Sequence, residues 1–315
     1  MNRNRTHVCT RLAVTVMTVL FASGCPGSWR DLEVRSLEHD GLARTYLLHV
    51  PASYTGDEAV PLVLALHGGR GTGRKMSRLT GFNALSEREG FIVVYPEGVD
   101  NRWNDGREAR QGKSAKDVDD VGFIAAMLDA LVEEFAIDDG RVYATGASNG
   151  AMMSHRLACE LTDRFAAIAP VIGAMPEKLE PDCTPSGPIS VLMINGEDDR
   201  FVPWDGGAVA GRDDLGRLLS VEDTVKFWVG HNACPPEPEP SWLPDARPHD
   251  GTRVWREDYG EGPAGGAVVL YGIEGGGHTW AGGPAYQMQG LFGTVSRDID
   301  ASAVVWTFLA AHPKD

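Results

Sequence analysis

Short apolar runs recur along this chain, separated by stretches whose hydrophobic residues follow a helical period. Leu62 to Leu66, Phe91 to Tyr95, Val142 to Thr145, Ala166 to Val171, Ile189 to Ile194 and Ala267 to Ile273 predict strands. Most are continuous rather than alternating, the pattern of strands covered on both faces by helices. Ala43 to Val50 alternates instead and predicts an antiparallel edge strand that stops at Pro51. Val121, Ile124, Leu128, Leu131 and Phe135 form an apolar stripe, which predicts a helix over 121–135 capped by Asp119 or Asp120. Met153, Leu157 and Leu161 mark another helix, and Val304, Val305, Phe308 and Leu309 a final one. Alternating strands and helices predict an α/β fold with a doubly wound, mainly parallel sheet and helices on both faces. The Pro-rich, acidic stretch from Cys234 to Pro248 reads as a surface excursion within one domain, because strand and helix signals resume beyond it.

The first 25 residues stand apart from this pattern. Arg3, Arg5 and Arg11 make a basic start without acids, Leu12 to Ala22 is a short apolar run, and small residues precede Cys25. This is the layout of a signal peptide. Ala22-Ser23-Gly24-Cys25 resembles the lipobox of bacterial lipoproteins, which implies lipidation of Cys25. Ala22 departs from the Leu more usual there, and ordinary cleavage with release is the rival expectation. Residues 26–41 are expected to be an N-terminal extension, and 42–315 a single catalytic domain.

Without the three leader arginines the formal net charge of −15 becomes −18. Such a surface repels phosphate backbones and anionic headgroups, so nucleic acid and polyanionic substrates are disfavoured. Membrane association is expected only through the lipid anchor. Beyond Cys25, the cysteines Cys159, Cys183 and Cys234 allow one disulfide in an oxidising compartment. Cys159 with Cys183, the closest pair in sequence, is favoured. No cysteine or histidine spacing suggests a metal site.

The chemistry concentrates in Gly146-Ala-Ser148-Asn-Gly150, set between a predicted strand and a predicted helix. A serine at a sharp strand-to-helix turn stands clear of the sheet, and residues two places either side must be tiny. The helix N-terminus supplies free N–H groups for a developing oxyanion. Ser148 is therefore the candidate nucleophile. A base and an orienting carboxylate should follow in the order acid, then histidine. Glu197, Asp198 and Asp199 occupy the loop after the next suitable strand, and only one of them can face the histidine. Of His231, His249, His278 and His312, His278 has the fitting context, directly after a strand in a glycine loop. His67-Gly68-Gly69, after Leu62 to Leu66, suggests an oxyanion hole built from the N–H groups of Gly69 (or Arg70) and Asn149. His67 reads as a loop organiser rather than a second base.

His67-Gly-Gly, Tyr95-Pro-Glu-Gly, Trp103-Asn104, Asp119-Asp-Val-Gly-Phe123, Asn149-Gly-Ala-Met-Met, Phe165-Ala-Ala-Ile-Ala-Pro, Val202-Pro-Trp204 and Gly277-His-Thr-Trp280 together resemble the polyhydroxybutyrate depolymerase and feruloyl esterase group of secreted bacterial esterases. The similarity spans roughly residues 42 to 311. It implies an α/β-hydrolase fold, with Ser148 as nucleophile, His278 as base and Asp199 as acid, four residues before Pro203. Asn195-Gly-Glu197-Asp198 departs from the usual His-Gly-Thr before the acid, which leaves Asp198 as the alternative. Relatives often carry a cysteine where this chain has Tyr259-Gly-Glu-Gly-Pro, which would leave Cys234 without a partner.

Trp103, Trp204 and Trp280 are candidate substrate-binding residues, since indoles suit a flat phenolic or hydrophobic acyl group. Asp119 and Asp120 are explained by helix capping better than by a cation. The reading is a monomeric serine esterase without cofactor, secreted or lipid-anchored. Its expected substrates are feruloyl esters of plant polysaccharide or short hydroxyalkanoate oligomers. A peptidase with a similar elbow would need a propeller for which the chain has no room. A catalytically dead surface-binding protein is the non-enzyme alternative.

Overall fold

In a computed structural model that describes residues 32–107, 118–284 and 289–314, ten strands hydrogen-bond into one sheet. The leader, and with it Cys25, lies outside the described residues. The strands are β1 (Glu33–His39), β2 (Leu42–His49), β3 (Val60–Leu66), β4 (Ile92–Pro96), β5 (Ile137–Ala147), β6 (Ala167–Val171), β7 (Ser190–Gly196), β10 (Glu239–Trp242), β11 (Arg253–Glu261) and β12 (Ala267–Glu274). A separate two-stranded ribbon comprises β8 (Gly207–Ala208) and β9 (Arg217–Leu218).

The spatial order is β1-β2-β4-β3-β5-β6-β7-β12-β11-β10. Neighbours from β4 through β12 pair in parallel, while β1, β2, β11 and β10 add antiparallel edges. The helices are α1 (Gly73–Thr80), α2 (Phe82–Glu89), α3 (Asp120–Glu134), α4 (Asn149–Glu160), α5 (Val221–Asn232), α6 (Gln289–Phe292) and α7 (Ala301–Ala311). Successive strand residues enter opposite cores, as the two-residue side-chain period requires. Leu62, Leu64 and Leu66 share one core with Ile124, Leu157 and Val225 of α3, α4 and α5. Val63 and Ala65 join Met76, Phe82 and Val305 of α1, α2 and α7. This is the doubly wound α/β-hydrolase arrangement.

Three elements differ from the sequence expectation. Glu33–His39 lies in the stretch expected to be an extension, yet it pairs with β2 over its whole length. The predicted edge strand is thus the second strand in. The Cys234–Pro248 excursion carries β10, which zips onto β11 through residues such as Ser241 and Arg256. Polar edge strands of this kind lack the apolar run that betrays a central strand.

Cys159, near the end of α4, forms a disulfide with Cys183, their Cα atoms 4.9 Å apart. Cys234 is a buried free thiol whose Sγ lies 3.3 Å from the Gly266 carbonyl. No helix among the described residues is long and apolar enough to cross a membrane.

Candidate active site

Ser148 sits half-buried at the junction of β5 and α4, with φ 57° and ψ −117°. A non-glycine residue held there is strained, a condition that persists only where its surroundings over-determine it. Those surroundings are glycine backbone. A Cβ on Gly146 would lie 2.4 Å from the Gly150 carbonyl, and one on Gly150 would lie 2.3 Å from Leu66 O. The serine N–H donates to Val171 O at 3.1 Å, tying the turn to the end of β6.

The β3–α1 loop lies against this turn. A Cβ on Gly68 would be 3.5 Å from Ser148 Cβ, and one on Gly69 would be 3.8 Å from Asn149 Cβ. Asn149 is the first residue of α4, so its N–H has no acceptor within the helix. Of the two amides open in the sequence reading, Arg70 N–H is already bonded to Asn101 O at 2.8 Å. That leaves the N–H of the exposed Gly69 as the candidate partner of the Asn149 amide.

His67 beneath them is buried, with Nδ1 2.9 Å from Gly68 O and Nε2 accepting the Gly98 N–H at 3.0 Å. The proton therefore sits on Nδ1, and burial pushes the imidazole pKa down to about 4. It stays neutral and holds the loop.

His278 follows β12, and Asp199 follows β7, the neighbouring parallel strand. Asp199 Oδ2 lies 2.6 Å from His278 Nδ1, with both residues buried. The two loops are fastened to each other: Asp198 N–H donates to Gly276 O at 2.9 Å and Glu197 N–H to Ile273 O at 3.0 Å. A Cβ on Gly196 would lie 2.3 Å from Gly276 O, so only glycine allows that approach. Asp198 itself is exposed, and Glu197 accepts the Trp255 indole N–H at 2.6 Å. Among three consecutive carboxylates, only Asp199 faces the histidine. The half-buried Phe201 and Phe292 flank the His278 ring, with centroids 5.0 and 6.4 Å away.

A strained serine at the sheet's carboxyl end, two amides beside it and a buried carboxylate–imidazole pair can perform acyl transfer. A family model described as Esterase PHB depolymerase matches residues 44–176. NocK of Nocardia uniformis subsp. tsuyamanensis is 33% identical over 277 residues, covering 85% of this chain and 80% of NocK. The chain belongs to this esterase family. Feruloyl esterase B of Piromyces equi is 27% identical over 240 residues, 75% of this chain, and the chain spans 42% of that protein's length. An acetyl xylan esterase from Aspergillus awamori shares the fold, with a TM-score of 0.53 at 19% identity over 84% of this chain and 94% of that one.

Two tryptophan assignments need correction in this esterase. Trp280 is fully buried; its indole N–H donates to Ser302 Oγ at 3.0 Å and its ring meets Phe82 edge-on. Trp103 is buried as well, donating from its ring to His67 O at 2.8 Å. Both are packing residues, because each ring is enclosed and its polar atom is spent on the protein. Trp204 stays half-buried, edge-on to Trp255 at 5.7 Å.

The acidic pair at the start of α3 has structural work. Asp119 caps the helix at Gly122 N and meets His39 Nε2 at 2.9 Å. Asp120 is buried against Arg44 at 2.6 Å and accepts Asn104 N–H at 2.7 Å. Among the described residues no cluster of acidic, cysteine or histidine side chains is arranged to hold a metal.

One tie escaped the sequence reading: the Asn149 side chain. Its Oδ1 accepts Trp103 N–H at 2.9 Å, and its Nδ2 reaches Trp103 O at 3.1 Å and Asp105 at 2.5 Å. The asparagine thereby locks the 98–107 loop onto the elbow. No local sequence signal announces a bond between residues so far apart in the chain.

Proposed function

We propose that this esterase is a serine carboxylic-ester hydrolase that works through an acyl-enzyme. His278 Nε2 accepts the Ser148 hydroxyl proton as Oγ attacks the ester carbon, and Asp199 holds the imidazole by Nδ1 and stabilises the imidazolium. The Gly69 and Asn149 amides receive the oxyanion. Collapse expels the alcohol, which takes the proton from His278. A water molecule, deprotonated by the same imidazole, then releases the acid.

The observation that carries this reading is the buried Asp199–His278 bond at 2.6 Å, on loops fastened to each other at the same sheet end as Ser148. The substrate class is feruloyl esters or short hydroxyalkanoate oligomers, a reading supported by the feruloyl esterase relative and the family description. The protein is secreted or anchored through Cys25.

A fluorophosphonate probe tests the mechanism. Labelling should map to Ser148 and vanish in Ser148→Ala; an intact protein that takes no label at Ser148 would sink the reading. Methyl ferulate, p-nitrophenyl acetate and hydroxybutyrate oligomers, compared by kcat/KM, then rank the substrates.

A further inference from the structure

The loop after β4 presents a cation that the ester chemistry above leaves unused. Asp100 and Asn101 are consecutive non-glycine residues in the left-handed region, with φ 52° and 56°. Such conformations are disfavoured and need support from their surroundings. Gly98 permits the tight turn, since a Cβ there would lie 2.2 Å from Arg102 O. Arg102 N–H donates to Val99 O at 3.1 Å, Arg70 N–H to Asn101 O at 2.8 Å, and Trp103 is pinned by Asn149. The backbone under Arg102 is therefore fastened beside both amides of the oxyanion hole, to the residue after Gly69 and to the Asn149 side chain.

The Arg102 side chain is half-buried, and its Nη1 lies 3.8 Å from where a Gly69 Cβ would stand. Among the described residues its guanidinium makes no hydrogen bond and no ion pair. Arg107, by contrast, is paired with Asp105 at 2.7 Å and Arg44 with Asp120 at 2.6 Å. Burial, then the like charges of Arg70 and Arg107, hold Arg102 below the ordinary arginine value, with Asp105 opposing. An acidic chain of net charge −15 thus places Arg102, without an ion pair among the described residues, at the mouth of its oxyanion hole.

We propose that Arg102, with Arg70 nearby, receives a free carboxylate carried by the alcohol half of the substrate, next to the scissile ester. This rests on the serine-esterase reading and narrows it to esters of hydroxy acids. The oxyanion already has two amide donors, so a guanidinium beyond them is free for a second anion. Its planar fork of N–H donors fits a carboxylate, and a partly desolvated cation gains most from a full opposite charge. A neutral feruloyl ester would leave it unpaired.

The test compares the hydroxybutyrate dimer, with its free carboxylate, with the methyl ester of the same dimer. The parent protein should favour the free acid by about tenfold in kcat/KM, mostly through KM. Arg102→Gln should bring that ratio to about one, and Arg102→Lys should give an intermediate ratio. An unchanged melting temperature would show that the variants are folded; because Arg102 makes no side-chain bond among the described residues, none of those should be lost.

A parent that cleaves p-nitrophenyl acetate but does not distinguish acid from methyl ester would overturn the carboxylate site and leave the esterase reading standing. Equal losses on both dimers in Arg102→Gln would overturn it too, pointing to the oxyanion instead. A parent that cleaves no ester at all defeats the esterase reading, and the proposal with it.

Discussion

Asp199 divides its two carboxylate oxygens between His278 and its own loop. Oδ2 lies 2.6 Å from His278 Nδ1, while Oδ1 accepts the N–H groups of Phe201 and Val202 at 2.7 and 2.9 Å. The loop amides fix the carboxylate plane, so the second oxygen is aimed at the imidazole before any substrate arrives. Preorganisation of this kind is what an orienting acid contributes. Asp199→Asn should therefore lower kcat on p-nitrophenyl acetate by roughly 10⁴-fold, the scale seen when a triad carboxylate is lost. The exposed Asp198→Asn should stay within about twofold of the parent. If the two variants exchange these phenotypes, the assignment of the acid is wrong.

Gly150 has no space for a side chain. A Cβ there would lie 2.3 Å from Leu66 O and 2.7 Å from His67 O. Both atoms are backbone, so neither can swing aside. Gly150→Ala should cost about 1–3 kcal/mol of stability, as overpacking does, and should displace the oxyanion loop. Urea denaturation midpoints measure the first effect, and loss of kcat with little change in KM the second.

Arg44 and Asp120 form a buried ion pair, each about as enclosed as the hydrophobic core. Arg44 also lies 4.0 Å over the Phe123 ring. Asp120→Ala would leave that guanidinium desolvated and unpaired, and would free the Asn104 N–H. The expected loss is about 3–5 kcal/mol, read from thermal or chemical unfolding. A change below about 1 kcal/mol would mean that water reaches the pair.

Two buried imidazoles make stability depend on acid. Burial lowers the pKa of His67 to about 4 and that of His155 to about 3. His155 Nδ1 accepts the Trp228 indole N–H at 3.1 Å, and its Nε2 finds no partner among the described residues. Both rings stay neutral in the native protein but take up protons on unfolding below the usual value near 6.5. Their stabilising contribution is complete above pH ~6.5 and is lost as pH falls toward their native pKa values. Each proton adds a slope of up to about 1.4 kcal/mol per pH unit in that window. His155→Gln should flatten the dependence of unfolding free energy on pH between about 6 and 4, relative to the parent. Equal slopes would show that His155 is protonated in the folded state.

Much of this molecule was legible in the chain itself. Continuous apolar runs such as Leu62 to Leu66 marked the central strands, and the stripe from Val121 to Phe135 marked α3. Gly146, Ser148 and Gly150 marked the turn between strand and helix. These features are local: backbone sterics and side-chain period act within a few residues, so a short window contains their cause. Even the Cys159–Cys183 pairing followed from short separation.

Tertiary structure decided what depends on segments distant in sequence. It chose Asp199 among three adjacent carboxylates, because the loop bonds turn only that one toward His278. Gly69 was left as the available amide because the Arg70 N–H meets Asn101 O, and the rings of Trp103 and Trp280 were placed inside the cores. β1 and β10 joined the sheet although polar edge strands carry no apolar signature. Arg102 came to stand beside Gly69 through a turn locked by the Trp103–Asn149 bond, a contact across 46 residues that no local pattern encodes. Local sterics set which elements form; burial and long-range hydrogen bonding decide which atoms face each other.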